Sequence, residues 1–256
     1  MGETPTVTSG TAGAQGMQNF RDLGGIPTAA GGRTRYGVLY RGDVPRLGDP
    51  APASAISWPP ATVVDLRSAE ETEETHPLAR AAGEIHVVAL LQEASIVRVA
   101  GETDVSRQPL EELYRNAIAG VGPPLARIAE IIASSPGPTL LHCTVGKDRT
   151  GLVAAVILSA VGVDDEDIVA DYVLTEANMP RVLARLASAP DLEGGAALVE
   201  RLAQTNPNVL SAPAAAIAAA LGELGSAGGS AAWLRRHGLS EDALANLCRR
   251  LVDGPA

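Results

Sequence analysis

The stretch Pro138–Leu158, PTLLHCTVGKDRTGLVAAVIL, constrains this chain more than any other part of it. A short aliphatic run passes through a glycine-containing loop into a segment that is apolar nearly all round. That pattern reads as a strand, a tight loop and a helix buried at the centre of a domain. Cys143 stands at the end of the strand and Arg149 at the start of the helix. The backbone N–H groups of the loop, from Thr144 through Val145, Gly146, Lys147 and Asp148 to Arg149, can curl toward one centre and form an anion-binding nest. The helix adds its unsatisfied amides and the positive end of its dipole at the same point. Gly146 supplies backbone freedom where the loop must turn tightly. A dianionic phosphate is the natural occupant.

This setting has chemical consequences. A free thiol titrates at about 8.5, and a helix N-terminus with nearby cations lowers that by one or more units. Cys143 is therefore expected to be a thiolate at neutral pH, placed to attack phosphorus. Arg149 presents a planar fork to two phosphate oxygens. Losing one such charge-stabilising contact typically costs ~2.7–4 kcal/mol of barrier. Thr150 can donate to the Cys143 sulfur as it leaves, and His142 is expected to orient the loop through a hydrogen bond rather than act as a base.

The rest of the chain supplies a scaffold for such a loop. Strand-like runs occur at 37–41 (GVLYR), 62–67 (TVVDLR), 85–90 (IHVVAL) and 138–142 (PTLLH). Helical periodicity lies between them, at Leu110, Leu113, Tyr114, Ala117 and Ile118 and again at Leu125, Ile128, Ala129 and Ile132. Ser68 followed by Glu71 suggests a capping box opening a further helix. The alternation predicts an α/β domain with a mostly parallel central sheet flanked by helices. Beyond Val163 the pattern is almost wholly helical, with helices expected over 165–176, 180–189, 194–205, 212–224 and 240–252. Residues 1–16 read as a flexible tail, and 17–256 as one domain with a helical C-terminal extension.

Composition narrows the function classes. Thirty acidic residues against 20 basic ones give a net charge of −10, which disfavours nucleic acid or a polybasic membrane contact. Aromatics are 3% of the chain, too few for a row of base-stacking rings. Cys143 and Cys248 form no CxxC, and His76, His86, His142 and His237 show no metal-ligand spacing, so neither a disulfide framework nor a metal site is expected. The first residues carry neither a basic start nor an apolar stretch, and a cytoplasmic location is the expectation.

His142-Cys143, five residues, then Arg149-Thr150 matches the signature of the cysteine-dependent phosphatases of the protein-tyrosine phosphatase superfamily. The fuller HCTVGKDRTG resembles the bacterial branch represented by mycobacterial protein-tyrosine phosphatase B. Asn19–Gly25 (NFRDLGG) resembles that branch too, and LYRGD at 39–43 and VVDLRSAEE at 63–71 follow in the expected order. The resemblance implies the corresponding fold, a phosphocysteine intermediate, and hydrolysis without metal or cofactor. It implies a phosphorylated protein or a small phosphate ester as partner, with phosphotyrosine the leading substrate. It also makes Asp148 the favoured general acid over Asp65 and Asp104, because an acid must reach the ester oxygen.

Several readings stay open. Lys147 could add positive charge at the rim, as in phosphoinositide phosphatases, although those carry a second loop lysine where this chain has Thr144. Arg21 and Asp22 could support the phosphate loop, or Asp22 could be a turn residue before Gly24-Gly25. Arg41 and Arg67 read as structural ion pairs, Cys248 as a packing residue, and the acidic run Glu70–Glu74 as a solvated helix face. The helices within 180–224 could enlarge the core or form a lid over the loop. Phosphoinositide or metabolite hydrolysis, rhodanese-type sulfur transfer and non-catalytic phosphate binding are the competing functions.

Overall fold

A computed structural model describes residues 16–72, 75–90, 110–188, 196–197, 199–200 and 210–254. A five-stranded sheet runs through the middle. Its strands are β1 (Arg21–Asp22), β3 (Leu39–Gly42), β4 (Thr62–Asp65), β5 (Glu84–Val87) and β6 (Thr139–His142), in the order β1-β3-β6-β4-β5. Only β1 is antiparallel to its neighbour, and the other three pairings are parallel. The three inner strands are buried at every position, the mark of a parallel sheet covered on both faces. A two-stranded ribbon pairs β2 (Arg33–Thr34) with β7 (Val252–Asp253) and ties the C-terminal end of the described chain to the early part.

Seven helices are described. They are α1 (Leu110–Gly120), α2 (Gly122–Ser134), α3 (Asp148–Ala160), α4 (Asp165–Ala187), α5 (Ala214–Ser226), α6 (Ser230–Arg236) and α7 (Glu241–Leu251). The fold is thus α/β with a mostly parallel sheet. Helix α3 is the core element expected from its composition: every residue from Arg149 to Leu158 is buried. Among the described residues no single helix is long and apolar enough to cross a membrane.

The departures from the sequence reading have local causes. Ser68 and Glu71 form half of a capping box, the Ser68 N–H donating to Glu71 Oε2, but the segment stays a turn. Its carboxylate has a stronger partner elsewhere. The two helices expected over 165–189 are one, with Pro180 inside it. An interior proline removes the bond to Glu176 O and costs about 3 kcal/mol. Burial of Met179, Val182, Leu183 and Leu186, and the anchoring of Arg185 on Asp43 and Asp49, offset that. Helix α6, which follows Gly229 at φ +90°, has no counterpart in the expected set. Within the range 180–224, residues 180–187 end α4, and α5 buries Ala216, Ile217, Ala220, Leu221 and Leu224 in the core. Of the expected helix 194–205 only residues 196–197 and 199–200 are described, all four helical; the expected tail 1–16, but for Gly16, and Asp104 lie outside the described residues.

Candidate active site

Parallel pairing brings the carboxyl ends of three strands together. His142 on β6 is level with Gly42 on β3 and with Asp65 on β4. In an open parallel sheet the crevice beyond these ends is where ligands bind. The loop Cys143–Lys147 occupies it and leads directly into α3.

Four consecutive carbonyl oxygens of this loop are held from outside. His142 Nδ1 lies 3.3 Å from Cys143 O, the Val44 N–H donates to Thr144 O, and Asn19 Nδ2 donates to Val145 O and Gly146 O. Arg41 Nη2 donates to Gly146 O as well, at 3.0 Å. In a planar trans peptide the N–H points opposite to the C=O. Tying these four carbonyls outward therefore turns the N–H groups of Thr144, Val145, Gly146 and Lys147 the other way, toward the loop's interior. Gly146 has φ +72°, and a Cβ there would stand 2.4 Å from Gly42 O, so only glycine fits between the loop and β3.

Charged groups packed behind the loop hold these contacts. Asp171 on α4 receives Arg41 Nη1 at 2.6 Å and Arg21 Nε at 2.6 Å. Arg21 also donates to Asn19 Oδ1, the other end of the amide that grips the loop. Burial, then the neighbouring Arg41 charge, lowers the Arg21 pKa to about 10. Asp171 sits below its ordinary range: burial opposes its charge, but Arg41 and Arg21 outweigh it. Asp43, at the end of β3, accepts from the N–H groups of Gln18 and Asn19 and pairs with Arg185. Arg21 therefore acts one layer behind the loop. Asp22 stands apart from it, accepting from Gly24 N and Gly37 N as a turn residue.

Glu71, assigned from sequence to a solvated face, is a member of the site. It meets Arg149 with both carboxylate oxygens, Oε2 at 2.7 Å from Nη1 and Oε1 at 2.8 Å from Nη2. Burial works against the Arg149 charge, yet the bonds to Glu71 and the fields of Cys143, Glu71 and Asp148 raise its pKa above the ordinary value. Cys143 itself is 2% exposed. The Thr150 hydroxyl is buried with no hydrogen-bond partner among the described residues, so it makes no bond to the Cys143 sulfur in this structure and is available for one.

Lys147 is buried rather than raised at the rim. Its Nζ donates to Ser211 O and lies 3.7 Å from Asp148 Oδ1. Asp148 accepts from the Tyr114 hydroxyl at 2.7 Å, and Tyr114 lies 2.7 Å from the hydroxyl of Tyr172. Asp65, the competing acid, is committed to Arg67, whose Nε donates to Oδ1 and whose Nη2 donates to Oδ2, and is pulled down to about 2: burial raises it, but His142 and Arg67 prevail.

The fold also gathers His76, His142 and Asp65, which no sequence spacing suggested. Their hydrogen bonds account for them. His76 Nδ1 accepts from Leu78 N–H, so a neutral His76 carries its proton on Nε2 and donates to His142 Nε2 at 3.0 Å. His142 must then carry its own proton on Nδ1, aimed at Cys143 O. A metal on both Nε2 atoms would displace the His76 Nε2 proton, which could then sit only on Nδ1, where the Leu78 N–H already donates. Burial, chiefly, lowers the His142 pKa to about 4 and lowers that of His76 as well.

The family model for the tyrosine phosphatase family matches residues 12–253. A Cupriavidus necator protein named among the tyrosine-protein phosphatases is 36% identical over 174 residues, which cover 61% of this chain and 59% of that protein. The triple specificity protein phosphatase PtpB of Mycobacterium tuberculosis is 30% identical over 202 residues, 67% of this chain and 71% of the relative. A tyrosine-protein phosphatase of Nostoc commune is 44% identical over 45 residues, 18% of this chain and 15% of its own. The chain thus spans less than two thirds of the first of these relatives.

Proposed function

The chain belongs to the tyrosine phosphatase family, and on that footing we propose that it is a phosphatase that hydrolyses phosphomonoesters through a phosphocysteine on Cys143, without metal. Phosphotyrosine proteins are the leading substrates, with phosphoserine and phosphothreonine proteins behind them. The outward tethering of four loop carbonyls over a buried Cys143 is the observation that carries this reading. It supplies inward N–H donors where the equatorial phosphate oxygens gain charge, and such preorganised donors contribute most of the stabilisation in reactions of this type.

In the first step the Cys143 thiolate attacks phosphorus, the bond to the ester oxygen breaks, and Asp148 delivers its proton to that oxygen. Arg149 and the loop amides hold the three remaining oxygens. In the second step water attacks the phosphocysteine and loses a proton to Asp148. The sulfur–phosphorus bond breaks, phosphate departs, and Thr150 is placed to donate to the returning thiolate. The triple specificity named for the mycobacterial relative supports a range of substrates beyond phosphotyrosine. The burial of Lys147 gives no support to a second cation at the rim, as a polyphosphorylated headgroup would use.

The test is phosphate release from phosphotyrosine, phosphoserine and phosphothreonine peptides, phosphoinositides and sugar phosphates, with EDTA present, by wild type and Cys143→Ser. EDTA-resistant turnover of phosphotyrosine that disappears in Cys143→Ser is expected. Turnover that survives the substitution would overturn the mechanism, and preference for a lipid or sugar phosphate would overturn the substrate assignment.

A further inference from the structure

Tyr114 and Tyr172 come from helices α1 and α4, which meet only in the folded chain. Tyr114 is 1% exposed and Tyr172 1%, and their rings pack edge-to-face with centroids 5.9 Å apart. A phenol has one hydrogen. The Tyr114 hydrogen goes to Asp148 Oδ1, so the hydrogen between the two hydroxyls must be that of Tyr172. The result is a chain of donors with one direction, from Tyr172 to Tyr114 to Asp148. Burial first, and then the Asp148 charge, raise both tyrosines above the ordinary phenol value, so both remain donors at physiological pH.

We infer that Tyr114, backed by Tyr172, is a positioning residue for Asp148 that fixes Oδ1 and reserves Oδ2 for proton transfer with the substrate. The inference rests on the function proposed above. Oδ1 accepts from Tyr114 whether Oδ2 is protonated or not, so one bond serves both half-reactions. The Oδ2 proton passes to the departing ester oxygen as its bond to phosphorus breaks, and the proton of the attacking water returns to Oδ2 later. Gly151, which closes the GKDRTG segment, keeps the relay in place. A Cβ there would lie 2.9 Å from the Tyr172 ring, so the ring packs onto the first turn of α3 only because residue 151 has no side chain.

The experiment compares two esters that differ in their need for a proton. The oxygen of phenyl phosphate is basic and leaves poorly unprotonated, whereas that of dinitrophenyl phosphate leaves as the anion. Tyr114→Phe removes only the hydroxyl. A hydrogen bond to an ionised group corresponds to about tenfold or more in rate; a loss of that size is expected in kcat/KM, which reports the first half-reaction alone, for phenyl phosphate, with kcat/KM for dinitrophenyl phosphate unchanged. Tyr172→Phe is expected to show the same selectivity at smaller size, and it carries the test if Tyr114→Phe does not fold. Equal losses on both esters, or none on phenyl phosphate, would overturn the inference while Cys143-dependent turnover leaves the proposed function standing. Asp148→Asn with no selective loss would place the acid elsewhere and overturn it as well. Absence of Cys143-dependent turnover with either ester would overturn both.

Discussion

Arg149 at the start of α3 and Glu71 in the turn after β4 form a two-pronged ion pair, both guanidinium Nη atoms facing both carboxylate oxygens. Glu71 is itself held by the Ser68 N–H and by the Thr144 hydroxyl. The pair therefore joins the arginine that would grip phosphate to two other elements around the loop.

Glu71→Gln should loosen Arg149 without removing its charge. The amide opposes one Nη donor with a donor of its own. A bond between charged groups corresponds to about tenfold in rate, reduced where solvent screens the pair as it does here. A several-fold fall in kcat/KM is expected, accompanied by weaker inhibition by vanadate. Unchanged values for both would make Glu71 a bystander.

Stability should fall as the solution is acidified from neutral. His142 in the unfolded chain takes up a proton near 6.5, whereas in the folded protein it does so only at about 4. The unfolded state binds more protons throughout that window, so stability rises with pH across it and is fully present above 6.5. The whole shift corresponds to about 3 kcal/mol. His76 acts in the same direction, and Asp65 adds a loss only further down, between 3.8 and about 2. Urea denaturation of wild type and His142→Asn across pH 7 to pH 4, roughly the span over which a histidine shifted this way titrates, checks this. The variant should show the shallower slope, and a flat wild-type profile would refute the prediction.

Asp171→Ala should be among the most damaging substitutions outside the loop. It removes the carboxylate partner of the buried Arg41 guanidinium and of the partly buried Arg21, and breaking a buried pair this way costs about 3–5 kcal/mol. Chemical denaturation of the variant measures the cost. Where protein remains folded, its affinity for phosphate should fall as well, because Arg41 also holds Gly146 O. A change of well under 1 kcal/mol, the range of exposed ion pairs, would show that the network relaxes around the loss.

The loop and its helix were legible because their information is local. Cys143, Gly146 and Arg149 lie within seven consecutive positions, and the apolar surround of α3 is written in its own composition. Four strands of the central sheet were legible for the same reason, to within three residues at their ends, whereas the two-residue strands β1, β2 and β7 were not. Glu71 was not. In sequence it is one acid among neighbours of its kind, and its partner is 78 positions away. Tyr114 and Tyr172 each satisfy a helical apolar stripe, so periodicity explains them fully and conceals the hydroxyls. Pro180 signalled a helix boundary, and the signal was outweighed by contacts that Arg185 makes some 140 residues back along the chain.

The sequence by itself determined the loop that carries the proposed reacting groups, the mostly parallel sheet and the central helix, because backbone propensity, glycine placement and apolar periodicity act over a few residues. Only the tertiary structure decided which charges hold the loop, which proton His142 keeps, and what positions Asp148. Those depend on side chains from β3, α1 and α4 meeting at one point, where burial removes water as the alternative partner and makes each choice of hydrogen bond count.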